Sequence, residues 1–364
     1  MTKLKVLYPY FDSVVDETPS HLPEFEQFCQ DFCVIFYKLS TPQDLIRAFH
    51  YELSDISGIF FTDRFHFFAD FKDYIPHFPK SLEVVSYPWV GSEIFKPEAL
   101  REKGINLCNV GEGCADDVAD VALQLTLSTF RFTSFLESTL RSTKTITAAR
   151  AVSSTLDINT KTGLPCNSTG TVAKGVRIGG KKVVSPRGRT AGIVGLGSIG
   201  KAIARRLSCI GLNIKYTKRT PLTEEETNSF PFDLQYVVSL EELIPQVDVL
   251  ILCVPETPQT INMVNSKTLA LFQKGSRIVN VGRGSAVNED DLLVALDNGT
   301  ISSFGADVFQ NEPNIDERLL NRFDVMVLPH VGPFTCDNFD RAHGQVVENI
   351  TQALSYHNYS NLVN

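Results

Sequence analysis

The chain has no apolar run of the ~18–20 residues that a membrane span needs; its most apolar stretch, Val247 to Pro255, is strand-sized. It also lacks a Lys/Arg-rich stripe, and its net charge is −8. Both argue against a nucleic-acid backbone or an anionic membrane as the main partner. Small anionic substrates stay open, because a few buried arginines bind them whatever the total charge. The 8 cysteines run from Cys29 to Cys336 without a Cys-x-x-Cys pair. Cys29 and Cys33 stand one helical turn apart but have no matching second pair, so no metal site is expected. The first residues, Met1 to Tyr8, read straight into a strand and lack the apolar core of a secretory leader, and the last three spell no peroxisomal address. The sequons at Asn167 and Asn349 then read as chance matches. A reducing, cytoplasmic setting and a soluble protein are the expectation.

The 364 residues, 43% hydrophobic and 21% charged, are enough for two domains with separate cores. Short β-like runs alternate with helical periodicity along most of the chain. Strands are predicted over Lys5–Tyr8, Cys33–Phe36, Gly58–Thr62, Glu83–Ser86, Thr190–Val194, Asn213–Thr217, Val247–Val254, Arg277–Val281, Ser303–Asp307 and Val325–Leu328. Helices are predicted over Asp116–Arg131, Ile199–Cys209 and Glu289–Asn298. This alternation indicates an α/β protein with doubly wound parallel sheets. From about Thr145 to Arg189 the pattern breaks into Ser, Thr, Gly and Lys, which reads as an irregular surface insertion.

Residues Ala191 to Gly200 read Ala-Gly-Ile-Val-Gly-Leu-Gly-Ser-Ile-Gly, an apolar strand, a Gly-x-Gly-x-x-Gly loop and the start of a helix. Gly195 permits the tight turn, Gly197 lets backbone approach a pyrophosphate, and Gly200 lets helix pack on strand. The helix start offers free amides and a positive dipole end to phosphate. A dinucleotide site follows. The ribose acceptor should come at the end of the next strand, where Thr217, Lys218 and Arg219 stand and no Asp or Glu occurs from Gly211 to Leu222. A carboxylate there would take the 2′ and 3′ hydroxyls of NAD; a hydroxyl and two cations attract a 2′-phosphate instead. The expected cofactor is NADP(H), with NAD(H) as the lesser alternative.

Three further segments place a polar side chain directly after a strand, where open parallel sheets bind ligands. They are Val281-Gly282-Arg283-Gly284, Asp307-Val308-Phe309-Gln310-Asn311-Glu312-Pro313 and Leu328-Pro329-His330-Val331-Gly332. With these motifs and their intervals, the sequence resembles the D-isomer-specific 2-hydroxyacid dehydrogenase family, nearest to its glyoxylate/hydroxypyruvate reductase branch and fungal relatives. The likeness spans nearly the whole chain and is weakest in the first 80 or so residues and before Arg189. It implies that Arg283 grips the substrate carboxylate and polarises its carbonyl, that His330 is the acid in reduction and the base in oxidation, and that Glu312 holds the imidazole. A fork of donors, an imidazole and a carboxylate suit those tasks. It implies cofactor contacts at Ser198, Ile199, Val254, Pro255, Val281, Gly282 and Gly332 beside the glycine and 217–219 positions, with Asp307 at the nicotinamide carboxamide. Backbone amides at Val90 and Gly91 would bind the substrate carboxylate. Trp89 takes the place of a small residue in that loop, and Glu93 stands where Asp is usual.

The resemblance further implies two Rossmann-like domains with an active-site cleft between them and a homodimer built on the cofactor domain. The substrate domain is expected at 1–117 plus 336–364 and the cofactor domain at 118–335. The expected reaction is hydride transfer between NADP(H) and a small 2-oxo or D-2-hydroxy acid, glyoxylate, hydroxypyruvate or a bulkier one. The alternatives are a dinucleotide-sensing, corepressor-like protein on the same scaffold, or another Rossmann enzyme.

Overall fold

A computed structural model describes residues 3–10, 18–62, 70–168 and 176–364. Residues 1–2, which belong to the predicted amino-terminal run, and 169–175, inside the predicted insertion, lie outside the described residues, as does the last position of the Asn167 sequon. The chain divides into two compact units, 1–114 with 334–364, and 115–333.

In the first unit, β1 (Lys5–Tyr10), β2 (Cys33–Lys38), β3 (Ile56–Phe60), β4 (Val84–Ser86) and β5 (Asn106–Cys108) form one sheet in the order β2-β1-β3-β4-β5. All pairings are parallel. The order reverses beside β1, as in flavodoxin-like sheets. β3 is buried on every residue, because helices cover both faces of a parallel sheet and leave no polar side. The helix Cys336–Tyr356 belongs to this unit. On it, fully buried Asn349 donates to Ser86 Oγ at 3.1 Å and to the Asn109 carbonyl at 2.7 Å, which satisfies an amide that burial would otherwise penalise.

The second unit opens with the helix Ala115–Arg131, followed by helices Thr133–Thr143 and Ile146–Ala151. The predicted irregular stretch contains the last of these and two hairpins, β6–β7 (Thr155–Asn159, Leu164–Ser168) and β8–β9 (Arg177–Ile178, Lys181–Lys182). The turn of the second hairpin is Gly179-Gly180 with φ +56° and +75°, the conformation a two-residue hairpin turn demands. The main sheet then follows: β10 (Thr190–Val194), β11 (Asn213–Thr217), β12 (Leu234–Tyr236), β13 (Val249–Leu252), β14 (Ser276–Asn280), β15 (Ile301–Ala306) and β16 (Val325–Val327). Its order, β12-β11-β10-β13-β14-β15-β16, is parallel throughout and reverses between β10 and β13. That is the dinucleotide-fold order extended by one strand, and ligands of such sheets bind at the reversal. β13, β14 and β15 are buried on every residue. No helix of the described residues is long and apolar enough to cross a membrane.

Candidate active site

The strand end at the reversal carries the glycine loop. Gly195 has φ +92°, and a Cβ there would lie 2.9 Å from the Cys253 carbonyl oxygen, so only glycine fits beside β13. Gly200 is tighter: its Cβ would fall 2.2 Å from the Gly195 oxygen. At Gly197 nothing stands within 4 Å of that position, so the space a side chain would fill is open to a ligand. The helix Ser198–Cys209 begins here with no side chain capping its first turn, which leaves the amides near Ser198 and Ile199 to a phosphate. The residues present therefore fit a dinucleotide. Cys253, whose part sequence reasoning missed, donates its thiol to the Gly195 oxygen at 2.8 Å and ties the loop to β13; burial pushes this thiol up to about 12.

β11 ends at Thr217, which is buried, followed by half-buried Lys218 and exposed Arg219. Glu226 approaches this loop from the next helix, where it caps Thr223 and sits 2.9 Å from Lys201. The hydrogen bonds from Lys201 and the Thr223 amide hold it below the usual carboxylate range, with Lys218 adding its charge. Beyond β13 come Val254, buried, and Pro255, exposed. Val281 is buried, and Gly282 packs so closely that a Cβ would lie 2.7 Å from the Val254 oxygen.

Arg283 follows β14. Wholly buried Asn280 donates to the Arg283 carbonyl at 2.9 Å and accepts from the Gly282 amide at 3.1 Å, fixing the turn that presents the guanidinium. After β15, Asp307 is 2% exposed, and its two oxygens accept the Val331 and Gly332 amides at 2.8 Å each. Burial raises its carboxyl against the pull of those amides. These bonds hold the turn in which His330 has φ +55°, a left-handed conformation that costs a side-chain-bearing residue about 1–2 kcal/mol.

Glu312 completes the set. The Phe309 amide donates to one of its oxygens at 2.8 Å, and His330 Nδ1 meets the other at 2.9 Å. The Glu312 hydrogen bond raises the imidazole above its ordinary 6.5, with burial opposing and the charges of Glu312 and Asp307 assisting. Burial pushes the Glu312 carboxyl up, but the His330 and Phe309 hydrogen bonds and the charges of His330 and Arg283 outweigh it, and the group ends below its ordinary value. Arg283, Glu312 and His330 line one pocket of the second unit, together with Glu256, Ser285 and Gln310, which sequence reasoning had not singled out. A cation fork, an imidazole that holds a proton and a carboxylate behind it can bind an acid and exchange a proton with it.

Val90 and Gly91 belong to the first unit and follow β4; the Val90 carbonyl accepts from Asn109 Nδ2 at 2.9 Å. Trp89 beside them packs on Phe61, Tyr87 and Phe95. Among the described residues no group of three or more His, Cys, Asp and Glu side chains could hold a metal ion.

A glycine loop at the reversal of a doubly wound sheet, with an acid–base pair beyond β15 and β16, defines a dinucleotide-dependent α/β protein. Residues 170–332 match the profile described as D-isomer specific 2-hydroxyacid dehydrogenase, NAD binding domain. The chain is 34% identical over 360 residues to the Saccharomyces cerevisiae 2-hydroxyacid-dehydrogenase-family protein YPL113C, covering 92% of this chain and 89% of that one. Apo D-mandelate dehydrogenase of Rhodotorula graminis aligns over 100% of this chain and 98% of its own with a TM-score of 0.85 and 26% identity. The NADPH-dependent glyoxylate/hydroxypyruvate reductase SmGhrB of Sinorhizobium meliloti, solved with NADP and malonate, aligns over 100% and 97% with a TM-score of 0.76 and 28% identity. The protein belongs to the D-isomer-specific 2-hydroxyacid dehydrogenase family.

Proposed function

We propose that this protein is an NADP(H)-preferring reductase of small 2-oxo acids, interconverting them with D-2-hydroxy acids, and that it works as a homodimer in a reducing, cytoplasmic setting. The observation that carries the reading is the pocket itself, where His330, made more basic by Glu312 at 2.9 Å, stands with Arg283. The nicotinamide would supply the hydride. Arg283 binds the substrate carboxylate and draws electron density from the carbonyl. His330 gives its proton to the carbonyl oxygen in reduction and takes it back in oxidation. Glu312, held by the Phe309 amide, keeps the proton-bearing Nδ1 turned toward itself, so that Nε2 serves the substrate. Val90 and Gly91 would add amides from the first unit. Gly195, Gly197 and Gly200 with the helix start would cradle the pyrophosphate, and Thr217, Lys218 and Arg219 the 2′-phosphate.

The NADP complex and the glyoxylate/hydroxypyruvate reductase activity of SmGhrB support the cofactor and the small acid; the mandelate enzyme, with a TM-score of 0.85, supports a pocket that admits bulkier acids. The dimer is supported by apolar side chains left exposed in the second unit, and the compartment by 8 free thiols. The test is initial-rate oxidation of NADPH and NADH against 2-oxo acids from glyoxylate and hydroxypyruvate to branched and aromatic ones. Turnover is expected with NADPH. His330→Ala should lose about 10³-fold or more in turnover while binding NADPH as before, and Arg219→Ala should weaken NADPH far more than NADH. Silence of the unaltered protein across the panel, with NADPH bound, overturns the reading.

A further inference from the structure

The pocket that holds Arg283 and His330 has a second, acidic wall. Ser285 Oγ donates to Glu256 Oε2 at 2.6 Å, and both residues line the pocket with Arg283, Glu312 and His330. The wall stands on fixed backbone. The Asn262 amide donates to the Ser285 carbonyl at 2.7 Å and the Val264 amide to the Ala286 carbonyl at 2.9 Å, locking the turn after Arg283 to the segment beyond Glu256. Across from it, Gln310 is held by reciprocal bonds: its amide donates to buried Glu289 at 2.9 Å, and its side-chain oxygen accepts the Glu289 amide at 3.3 Å. Among the described residues, the bond from Ser285 is the one hydrogen bond to the Glu256 carboxylate, which leaves further lone pairs directed elsewhere.

Among the described residues, the charges of this pocket are even until a substrate engages them. Its positive groups are Arg283 and His330, and its carboxylates are Glu256 and Glu312. On the proposed reaction both positive groups are occupied by the reacting end of the substrate, Arg283 by its carboxylate and His330 by its carbonyl oxygen. Glu312 is engaged by His330. A second carboxylate on the substrate would therefore enter a pocket whose unneutralised charge is Glu256, with no further cation among the described lining residues to receive it. A fixed like charge discriminates by penalising the wrong ligand rather than by improving the right one. Nothing in the glycine loop or in the Arg–Glu–His set explains an acidic residue at this place.

We propose that Glu256 is a specificity-determining residue that turns the enzyme away from dicarboxylic 2-oxo acids and restricts it to monocarboxylic ones. This rests on the 2-oxo-acid reading of the same pocket. The measurement compares two five-carbon acids that differ in the second carboxylate, 2-oxopentanoate and 2-oxoglutarate. It uses kcat/KM where the acid turns over, and otherwise the inhibition constant against the best substrate of the panel. Glu256→Gln keeps the shape and an acceptor for Ser285 but removes the charge. It should raise the ratio of 2-oxoglutarate to 2-oxopentanoate about tenfold, the scale of like-charge repulsion at a solvent-reached site. Glu256→Lys should raise it further. Glu241→Gln makes the same charge change at an exposed position of the same unit and should leave the ratio alone. An unchanged ratio in both Glu256 variants, or an equal rise in Glu241→Gln, overturns the proposal. An unaltered enzyme that neither reduces nor binds any 2-oxo acid fails before a variant is made, and that result removes the underlying reading instead.

Discussion

The Nδ1 of His330 and the carboxylate of Glu312 are 2.9 Å apart, and that one contact governs which protonation state the imidazole holds near neutral pH. The raised pKa of His330 stems first from this bond. Reduction consumes the protonated form, so its rate should be flat below that pKa and fall as pH rises through it; oxidation needs the neutral form and should show the opposite limb. Glu312→Gln removes the charge that stabilises the imidazolium while keeping an acceptor. The falling limb of reduction should then move to lower pH, toward or below the ordinary 6.5, and at pH values above both pKa values each unit of displacement lowers the rate about tenfold. Rate–pH profiles in both directions check this. A limb that stays in place while the rate drops would mean that Glu312 orients the ring without setting its charge. At this scale Arg283, Glu312 and His330 stood out in the sequence because each sits in a contiguous motif after a strand, and the structure lines one pocket with them; their catalytic roles belong to the proposed function. The hydrogen bonds of Asp307, which the resemblance marks for the cofactor, and of Cys253 and Glu256, which it does not mark, were hidden because they join segments distant along the chain: Asp307 to the amide of Val331, Cys253 to Gly195, Glu256 to Ser285.

Elements were legible in proportion to their length and apolar period. β13 is a run of Val, Ile and Leu, β10 and β14 each carry an Ile-Val pair in a short apolar stretch, and all three lie where the pattern puts them. β5 (Asn-Leu-Cys) and β12 (Leu-Gln-Tyr) are three residues each and lack the valines that mark the equally short β4 and β16. The β8–β9 hairpin was hidden by composition: Lys181 and Lys182 look like surface charge, yet Lys181 is 8% exposed. Its ammonium pairs with wholly buried Asp324 and donates to the Leu296 carbonyl at 2.8 Å. Arg322, also buried, reaches the other Asp324 oxygen at 2.8 Å and Asp297 at 2.7 Å. Burial pulls Lys181 below its ordinary value against the attraction of Asp324. This cluster fastens the hairpin to the edge of the main sheet beside β16. Removing one partner strands buried charge, so Asp324→Asn should destabilise the protein by about 3–5 kcal/mol. Far-UV circular dichroism in a denaturant series reads it as a lower midpoint at constant slope. An unmoved midpoint would make the cluster a solvated bystander.

Across the whole molecule, the least expected feature is apolar surface. Leu140 (44% exposed), Ile146 (63%), Leu156 (49%), Leu164 (46%) and Val176 (41%) all fall between the end of the helix Ala115–Arg131 and the start of β10. The helix Thr133–Thr143 has no buried residue at all, although an isolated helix of its length is marginal in water and is normally held by an apolar face packed on something. Scattered single apolar residues need no explanation, but several on neighbouring elements of one segment mark a contact surface. In the proposed homodimer a second copy of the chain would meet this surface with the same chemistry, since a two-fold contact pairs a patch with itself. The protein should therefore sediment at about twice its 40.4 kDa at micromolar concentration. Leu140→Asp combined with Leu156→Asp should shift it to the monomer mass, because burying unpaired carboxylates opposes association strongly. Since Arg283, Glu312 and His330 lie on other elements, a dimer-breaking variant that keeps the NADPH site would separate assembly from chemistry. A monomer mass for the unaltered chain would instead leave these side chains to another cover.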